Sequence, residues 1–215
     1  MEYGPYQKVL LNTMKMALSD DFGDVFSIMI ASIFLPFLPL LPIQMLLQDF
    51  IYDISQIGIP YDNVDEEFLV KPRKWDTKSI SKFMNTLGVT SSVIDVIAFL
   101  IFWYILGYNS ILKQEYFQTA WFVTCLITEL MIIYAVRTSK KSFIDSKPGS
   151  KLVLLTLVSI ILTIAFPILL SNIKSLSFVI LPLNFYIYLL LLVILYFIIV
   201  FIIKKVYIKK NGEWL

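Results

Sequence analysis

The chain has 215 residues, of which 58% are hydrophobic and 16% are charged, and its mean hydropathy is +0.78. A soluble domain is usually about 45–50% apolar and about 25% charged, so this composition excludes a soluble enzyme. The net charge of +2 is too small to indicate a nucleic-acid partner, and the absence of histidine excludes histidine-based metal sites. The sequence therefore predicts one transmembrane domain, residues 1–215, in a lipid bilayer.

Six apolar segments are candidates for membrane spans, since a spanning helix needs about 20 mostly apolar residues. In chain order they cover residues 22–41, 43–59, 83–106, 118–136, 152–170 and 183–203. A proline-rich stretch with Pro36, Pro39 and Pro42 separates the first two, which favours a helix end with a tight turn over a broken helix lining a polar cavity. The predicted fold class is an all-α membrane protein, a bundle of six transmembrane helices.

The distribution of basic residues predicts the orientation of this bundle. All but two of the 18 Lys and Arg residues lie in the N-terminal arm, the connections after the second and fourth spans, and the C-terminal tail; the exceptions are Lys113 and Lys174. Because cytoplasmic loops retain Lys and Arg, both termini are expected in the cytoplasm. The connection 60–82 is the only long polar segment, either a solvated loop or a docking surface for another cytoplasmic domain.

Carboxylates inside the spans are the candidates for function, because an ionised side chain is costly in hydrocarbon. Five acidic residues qualify, and no Lys or Arg lies within the spans to pair with them: Asp24, Asp49, Asp53, Asp95 and Glu129. An unpaired carboxylate in this environment must be protonated, hydrated or bound to a cation.

Asp49 and Asp53 are four residues apart and therefore share one helical face, which Gln48 borders. Oxygen ligands of this kind suit Mg²⁺ and Ca²⁺, although a hydrogen-bonding seam between helices is the alternative. Asp24 and the deeply placed Glu129 are further candidates for an ion path. Asp95 is expected to make a structural hydrogen bond.

Two further residues have simpler interpretations from the sequence. Asp21 lies next to Asp20 near the start of the first span, where acidic residues complement the helix dipole. Cys125 falls inside an apolar run and is expected to be a small buried apolar residue. Neither is a strong site candidate from its spacing alone.

Several motifs closely resemble the magnesium-transporting P-type ATPases of bacteria. Residues 22–65 contain, in order, an FGD start, the turn FLPFLPLLP, the helix motif YDISQ and the exit IPYDNVD, and FQTAWFVTCLITELMIIYAVRT follows later. The resemblance extends from about residue 8 to residue 215. It implies that the six helices match the last six of the ten transmembrane helices of that family, and that the first two line the ion path.

The resemblance also implies a set of metal-binding residues. It places Asp21, Asp24, Asp49 and Asp53 at the polar positions of the first two helices, where Asp53 matches the family acid directly. The family usually has asparagine at the other three positions, and a neutral amide is common at the position of Glu129. The expected metal residues are therefore Asp24, Asp49, Asp53, Asp21 and Glu129, with Mg²⁺ as the transported ion.

The expected function is that of the membrane domain of a magnesium or other divalent cation P-type ATPase, multi-pass in the bacterial inner (plasma) membrane. The DKTGT phosphorylation motif and the nucleotide-binding and actuator domains are absent from the sequence. No catalytic residues and no ATP site are therefore expected in this chain, whose partner would be the remaining, catalytic part of such an ATPase. The alternative is a non-catalytic membrane protein: a passive cation path, a regulatory partner of a full pump, or an inactive remnant.

Overall fold

The computed structural model describes residues 5–63, 77–140, 145–212 and 214, with side chains from residue 13 onward. Residues 64–76 of the polar connection 60–82, which was predicted to be either a solvated loop or a docking surface, lie outside the described residues. Within these ranges the chain forms six α-helices, three short 3₁₀ segments and one π-helical segment, Ile101–Ile105, and no β-strand. The six α-helices are α1 Pro5–Phe34, α2 Pro42–Gln56, α3 Thr77–Leu100, α4 Gln114–Val136, α5 Ser150–Leu169 and α6 Leu183–Asn211.

Helix α1 begins earlier and ends earlier than the predicted span 22–41. It ends at Phe34 because Leu35 precedes Pro36, and the residue before a proline is disfavoured from helical geometry. Helix α2 then begins with Pro42 in its first turn, where a missing backbone N–H costs little. Gln118 of α4 fixes the turn between the two helices by donating from Nε2 to the carbonyl oxygen of Leu38 at 2.8 Å. The prolines therefore form a turn between helices, as predicted.

Four of the described helical segments are long and apolar enough to cross a membrane, and they contain α3, α4, α5 and α6. Helix α1 is not among them, because its apolar stretch begins only after three acidic residues, Asp20, Asp21 and Asp24. Helix α2 has 15 residues, which gives a length of about 22 Å, whereas the bilayer core is about 30 Å thick. The prediction of six spans with cytoplasmic termini therefore stays a prediction.

Helix α4 is the centre of the bundle. It packs against α1, α2, α3, α5 and α6, and nearly all its residues from Phe117 onward are buried. Around it, α1 packs along α3 and α2 packs along α5. Because α4 is enclosed on all sides, its polar side chains face other helices.

Helices α1 and α3 approach each other closely through two glycines. A Cβ atom added to Gly23 would lie 2.1 Å from Ser91 Oγ, and one added to Gly88 would lie 2.9 Å from the carbonyl oxygen of Ser19. Small residues permit close helix contacts in membrane proteins. This close approach brings α3 next to Asp24.

Polar contacts join several basic segments at one end of the bundle. Lys15 Nζ of α1 donates to Ser79 Oγ of α3 at 3.1 Å. Lys204 Nζ of α6 donates at 3.1 Å to the carbonyl oxygen of Lys140, which follows α4. The N-terminal part of α1 therefore lies beside the start of α3, and the end of α6 lies beside the connection after α4.

Arg137 connects the loops at this same end, in a group that we call the Arg137 latch. Its Nε lies 2.5 Å from Asp62 Oδ2, and its two Nη atoms donate to the carbonyl oxygens of Asn63 and Ser146 at 3.0 Å each. Asp62 Oδ1 also accepts from the backbone N–H of Gly149 at 2.7 Å. The latch thus fixes the loop after α2 to the end of α4 and to the start of α5.

Candidate cation site

The two most deeply placed of the predicted metal-binding acids, Asp24 of α1 and Glu129 of α4, are connected by Gln48 of α2. Gln48 Nε2 donates to Asp24 Oδ2 at 3.1 Å and to Glu129 Oε1 at 3.3 Å. Gln48 is 3% exposed and Glu129 is 8% exposed. Three helices therefore bring two carboxyl groups and an amide together inside the protein.

Cys125 of α4 joins the same group. Its Sγ lies 3.2 Å from Asp24 Oδ1, 3.1 Å from Glu129 Oε1 and 3.3 Å from Gln48 Nε2. The residue is buried, as expected, but it contacts polar groups rather than filling apolar space.

Asp95 of α3 completes a group that we call the buried carboxylate cluster: Asp24, Asp95, Glu129, Gln48 and Cys125. Asp95 accepts hydrogen bonds from Ser27 Oγ at 2.7 Å and from Trp121 Nε1 at 3.2 Å, as the structural interpretation predicted. One ligand atom from each of Asp24, Asp95 and Cys125 lies within 4.8 Å of the others. Asp95 therefore has both a structural role and a position beside the predicted metal residues.

A small cavity lies against this cluster. It encloses about 10 Å³, which is close to the minimum needed for one water molecule. A cation would therefore enter this conformation only after giving up most of its hydration shell. The lining residues are Asp20, Asp24, Ser91, Ile94, Asp95, Cys125, Thr128, Glu129 and Tyr196.

The donors that contact the cluster are neutral groups. Ser27, Trp121, Gln48 and Cys125 supply the hydroxyl, indole, amide and thiol contacts described above. Neutral donors do not balance the charge of ionised carboxylates, and unbalanced buried charge is strongly unfavourable. The cluster can therefore gain stability by binding a cation or protons.

The other three predicted metal residues, Asp21, Asp49 and Asp53, lie on exposed surfaces of α1 and α2 and form a second group, the exposed acidic group. Their carboxylates are close enough to repel one another. Asp49 and Asp53 share a helical face, as their spacing predicts, but the face of α2 buried against the described helices is the one with Gln44 and Gln48. The structure thus divides the predicted set between the two groups.

Gln48, Cys125 and Asp95 were not among the metal-binding residues predicted from the sequence. A signal for Cys125 exists, because it precedes Glu129 by four residues and therefore lies one turn away on the same helical face. For Gln48 the signal is the recurrence of Gln44, Gln48 and Tyr52 at four-residue spacing, which marks the buried side of α2. In both cases the prediction was based on a nearby acidic residue, Glu129 for Cys125 and Asp49 for Gln48.

Comparisons with known proteins identify the family. The family model described as "Cation transporting ATPase, C-terminus" matches residues 37–206. The chain is 37% identical over 206 residues to "Magnesium-transporting ATPase, P-type 1" of Salmonella typhimurium strain LT2, covering 95% of this chain. It is 36% identical over 204 residues to the protein of the same name from Escherichia coli K12, covering 94% of this chain.

The alignments with these two relatives cover most of this chain but only a part of the relatives. The chain spans 22% of the length of each of these two proteins. The resemblance to P-type ATPases seen in the sequence motifs is confirmed by the family match. The chain therefore belongs to the cation-transporting ATPase family, as a C-terminal membrane domain of the P-type cation ATPases.

Proposed function

We propose that this domain supplies part of the Mg²⁺ pathway of a P-type ATPase in the bacterial cell membrane. The observation that carries the proposal is the buried carboxylate cluster, in which Asp24 and Glu129 contact one amide and Asp95 lies alongside. Acidic groups from three helices, contacted by neutral donors, are suited to hold a cation between those helices. The names of the relatives, which are magnesium-transporting ATPases, support Mg²⁺ as the ion.

The chemistry of the cluster also supports a hard divalent cation. Mg²⁺ binds oxygen ligands at about 2.0–2.1 Å and usually retains several waters. The cavity of about 10 Å³ leaves little room for such waters, so Asp24, Asp95 and Glu129 would have to replace them. A pump must bind its ion tightly and then release it, and a change in the positions of the three helices would separate these carboxyl groups and release the ion.

We assign the exposed acidic group to a second part of the same pathway. On α2 the two groups are on different faces, since Gln48 faces the buried carboxylate cluster while Asp49 and Asp53 face outward. Asp21, Asp49 and Asp53 would then meet ligands from the remainder of a P-type ATPase. ATP hydrolysis by that remainder would drive the transport.

The buried cluster is tested by Mg²⁺ binding to the 215-residue chain in detergent micelles, measured by calorimetry. Asp24→Asn and Glu129→Gln each remove one charge and are expected to weaken binding at least tenfold, which is about 1.4 kcal/mol. Glu115→Gln, at an exposed position on the same helix as Glu129, is the matched control and should bind like the wild type. Wild-type affinity in Asp24→Asn would refute the role of the cluster.

The exposed acidic group is tested by transport. The domain would replace the corresponding part of the Salmonella typhimurium relative, and Mg²⁺ uptake would be measured in cells. Asp53→Asn is expected to abolish uptake, because Asp53 is the residue that matches the family acid. Unchanged uptake in this variant would remove the exposed acidic group from the pathway and leave the buried cluster to be judged by its own binding experiment.

A further inference from the structure

Helix α2 has two buried glutamines, one turn apart on the same face, whose amides are used differently. Gln44 is 0% exposed, and both ends of its amide have partners: Oε1 accepts from the backbone N–H of Leu41 at 3.0 Å, and Nε2 donates to the carbonyl oxygen of Leu176 at 2.9 Å. Gln44 thus has the full set of contacts expected of a structural glutamine.

Gln48 has an unequal set of contacts. Its Nε2, which has two hydrogens, lies within 3.1–3.3 Å of three acceptors, on Asp24, Cys125 and Glu129. Its Oε1 is buried and has no hydrogen-bond partner among the described residues. The NH₂ group therefore faces more acceptors than it has hydrogens, whereas the carbonyl oxygen of the same amide accepts no hydrogen bond from the described residues.

A half-turn about the last side-chain bond of Gln48 would exchange the positions of these two ends. Nitrogen and oxygen occupy equivalent positions on the planar amide, so the exchange needs no movement of the backbone. After the half-turn, Oε1 would point at the space between Asp24 and Glu129. This orientation is repulsive beside two carboxylates alone, and it becomes favourable once a positive ion lies between them.

We propose that Gln48 is a cation ligand of the buried carboxylate cluster and that its amide turns when the ion binds. This inference rests on the proposed function of the cluster. Without the ion, the NH₂ group separates Asp24 from Glu129 and reduces their repulsion. With the ion, the carbonyl oxygen becomes a neutral ligand of a kind that Mg²⁺ and Ca²⁺ accept.

The turn would also connect ion binding to α2. Because Asp24 is on α1 and Glu129 is on α4, the amide of Gln48 is the group by which α2 contacts both acids. Asp49 and Asp53 of the exposed acidic group are on the outward face of the same helix. An ion in the buried cluster would therefore act on the helix that contains Asp49 and Asp53.

The experiment compares Mg²⁺ affinity among variants of the 215-residue chain in detergent micelles, by calorimetry. Gln48→Leu removes both ends of the amide and is expected to weaken Mg²⁺ binding at least tenfold. Gln48→Glu retains an oxygen and adds a charge, so it should bind at least as tightly as the wild type. Gln44→Leu is the matched control: it should lower the melting temperature but leave the Mg²⁺ affinity within about twofold.

A second measurement covers the case in which Gln48→Leu folds poorly. Cys125 is the only cysteine of the chain and its Sγ is 3.3 Å from Gln48 Nε2. Mg²⁺ is expected to slow its reaction with a small methanethiosulfonate in the wild type and in Gln48→Glu, and to have at most half that effect in Gln48→Met.

The possible results separate this inference from the proposed function. If Gln48→Leu and Gln48→Met respond to Mg²⁺ like the wild type while Asp24→Asn does not, Gln48 is not a ligand and the cluster still binds the ion. If Asp24→Asn also responds like the wild type, both proposals are wrong.

Discussion

Replacing Arg137 by methionine tests whether the Arg137 latch holds the loops of the domain together. In the Arg137–Asp62 ion pair, the two side chains are 4% and 9% exposed. The guanidinium makes five polar contacts, one with Asp62 and four with the loops around it. Methionine keeps most of the apolar volume and removes all five contacts. Asp62 would then still accept from the backbone N–H of Gly149 on its other oxygen.

The size of the effect follows from the burial of the pair. A hydrogen bond to a charged group contributes about 1.5–3 kcal/mol, but five bonds to one side chain are not additive. Removing one partner of a buried ion pair costs about 3–5 kcal/mol, because the remaining charge stays buried. For a domain of this size, each kcal/mol lost from the free energy of unfolding lowers the melting temperature by about 2–4 °C. The melting temperature of Arg137→Met is therefore expected to fall by roughly 6–20 °C.

The assay is thermal unfolding of the chain in detergent micelles, followed by tryptophan fluorescence. Lys209→Met, at an exposed position near the end of α6, controls for the loss of one positive charge. Arg137→Lys keeps the charge but loses the planar fork of donors, and it should recover less than half of the lost stability. In a double-mutant cycle, Asp62→Asn should cost much less in the Arg137→Met background than alone. A shift in Arg137→Met no larger than that in Lys209→Met would refute the reasoning.

Two other substitutions have defined outcomes. Gly23→Ala would place a methyl group 2.1 Å from Ser91 Oγ, so α1 and α3 must separate. We expect the free energy of unfolding to fall by about 1–3 kcal/mol and to recover in part in the double variant Gly23→Ala/Ser91→Ala. Wild-type stability of the single variant would contradict this expectation. Trp214 is buried, packs edge-on against Phe83 and donates from Nε1 to the carbonyl oxygen of Val136 at 2.9 Å. In thermal unfolding experiments, Trp214→Ala is expected to lower the free energy of unfolding by about 3–5 kcal/mol and Trp214→Phe by about 1–2 kcal/mol. Equal losses in the two variants would show that the hydrogen bond, and not the packing, dominates.

The helices could be predicted from the sequence to the extent that apolar runs and prolines define them. The span predicted at 183–203 lies within α6, and the prolines after Phe34 end α1 as expected. The start of α1 at Pro5 was not predicted, because the predicted spans depend on apolar runs and several of the first residues of α1 are polar. Helix formation depends on backbone geometry and packing, and it does not require a continuous apolar run.

The site could be predicted only in part, because sequence periodicity does not show which face of a helix is covered. Glu129 was recognised from its depth in an apolar run, and the structure places it in the buried carboxylate cluster. Helix α4 is buried all round, so its sequence contains no polar stripe to mark the side that contacts Asp24. On α2 the spacing of Asp49 and Asp53 identified a common face, but Gln48 faces the described helices instead. Side-chain type indicated the chemistry, whereas only the packing of three helices showed which residues meet.

The enclosure of α4 has a consequence for how the protein is made. Two of the helices that surround it, α5 and α6, are synthesised after it. Until they emerge from the ribosome, residues of α4 that contact the later part of the chain, such as Thr119 beside Ser177 and Phe122 beside Phe178, lack these partners. Polar groups are expensive in hydrocarbon, so α4 gains stability when the later helices cover its remaining surface. The last two helices therefore complete the burial of α4, and nascent chains that stop after α4 should be less stable in the membrane than the 215-residue chain.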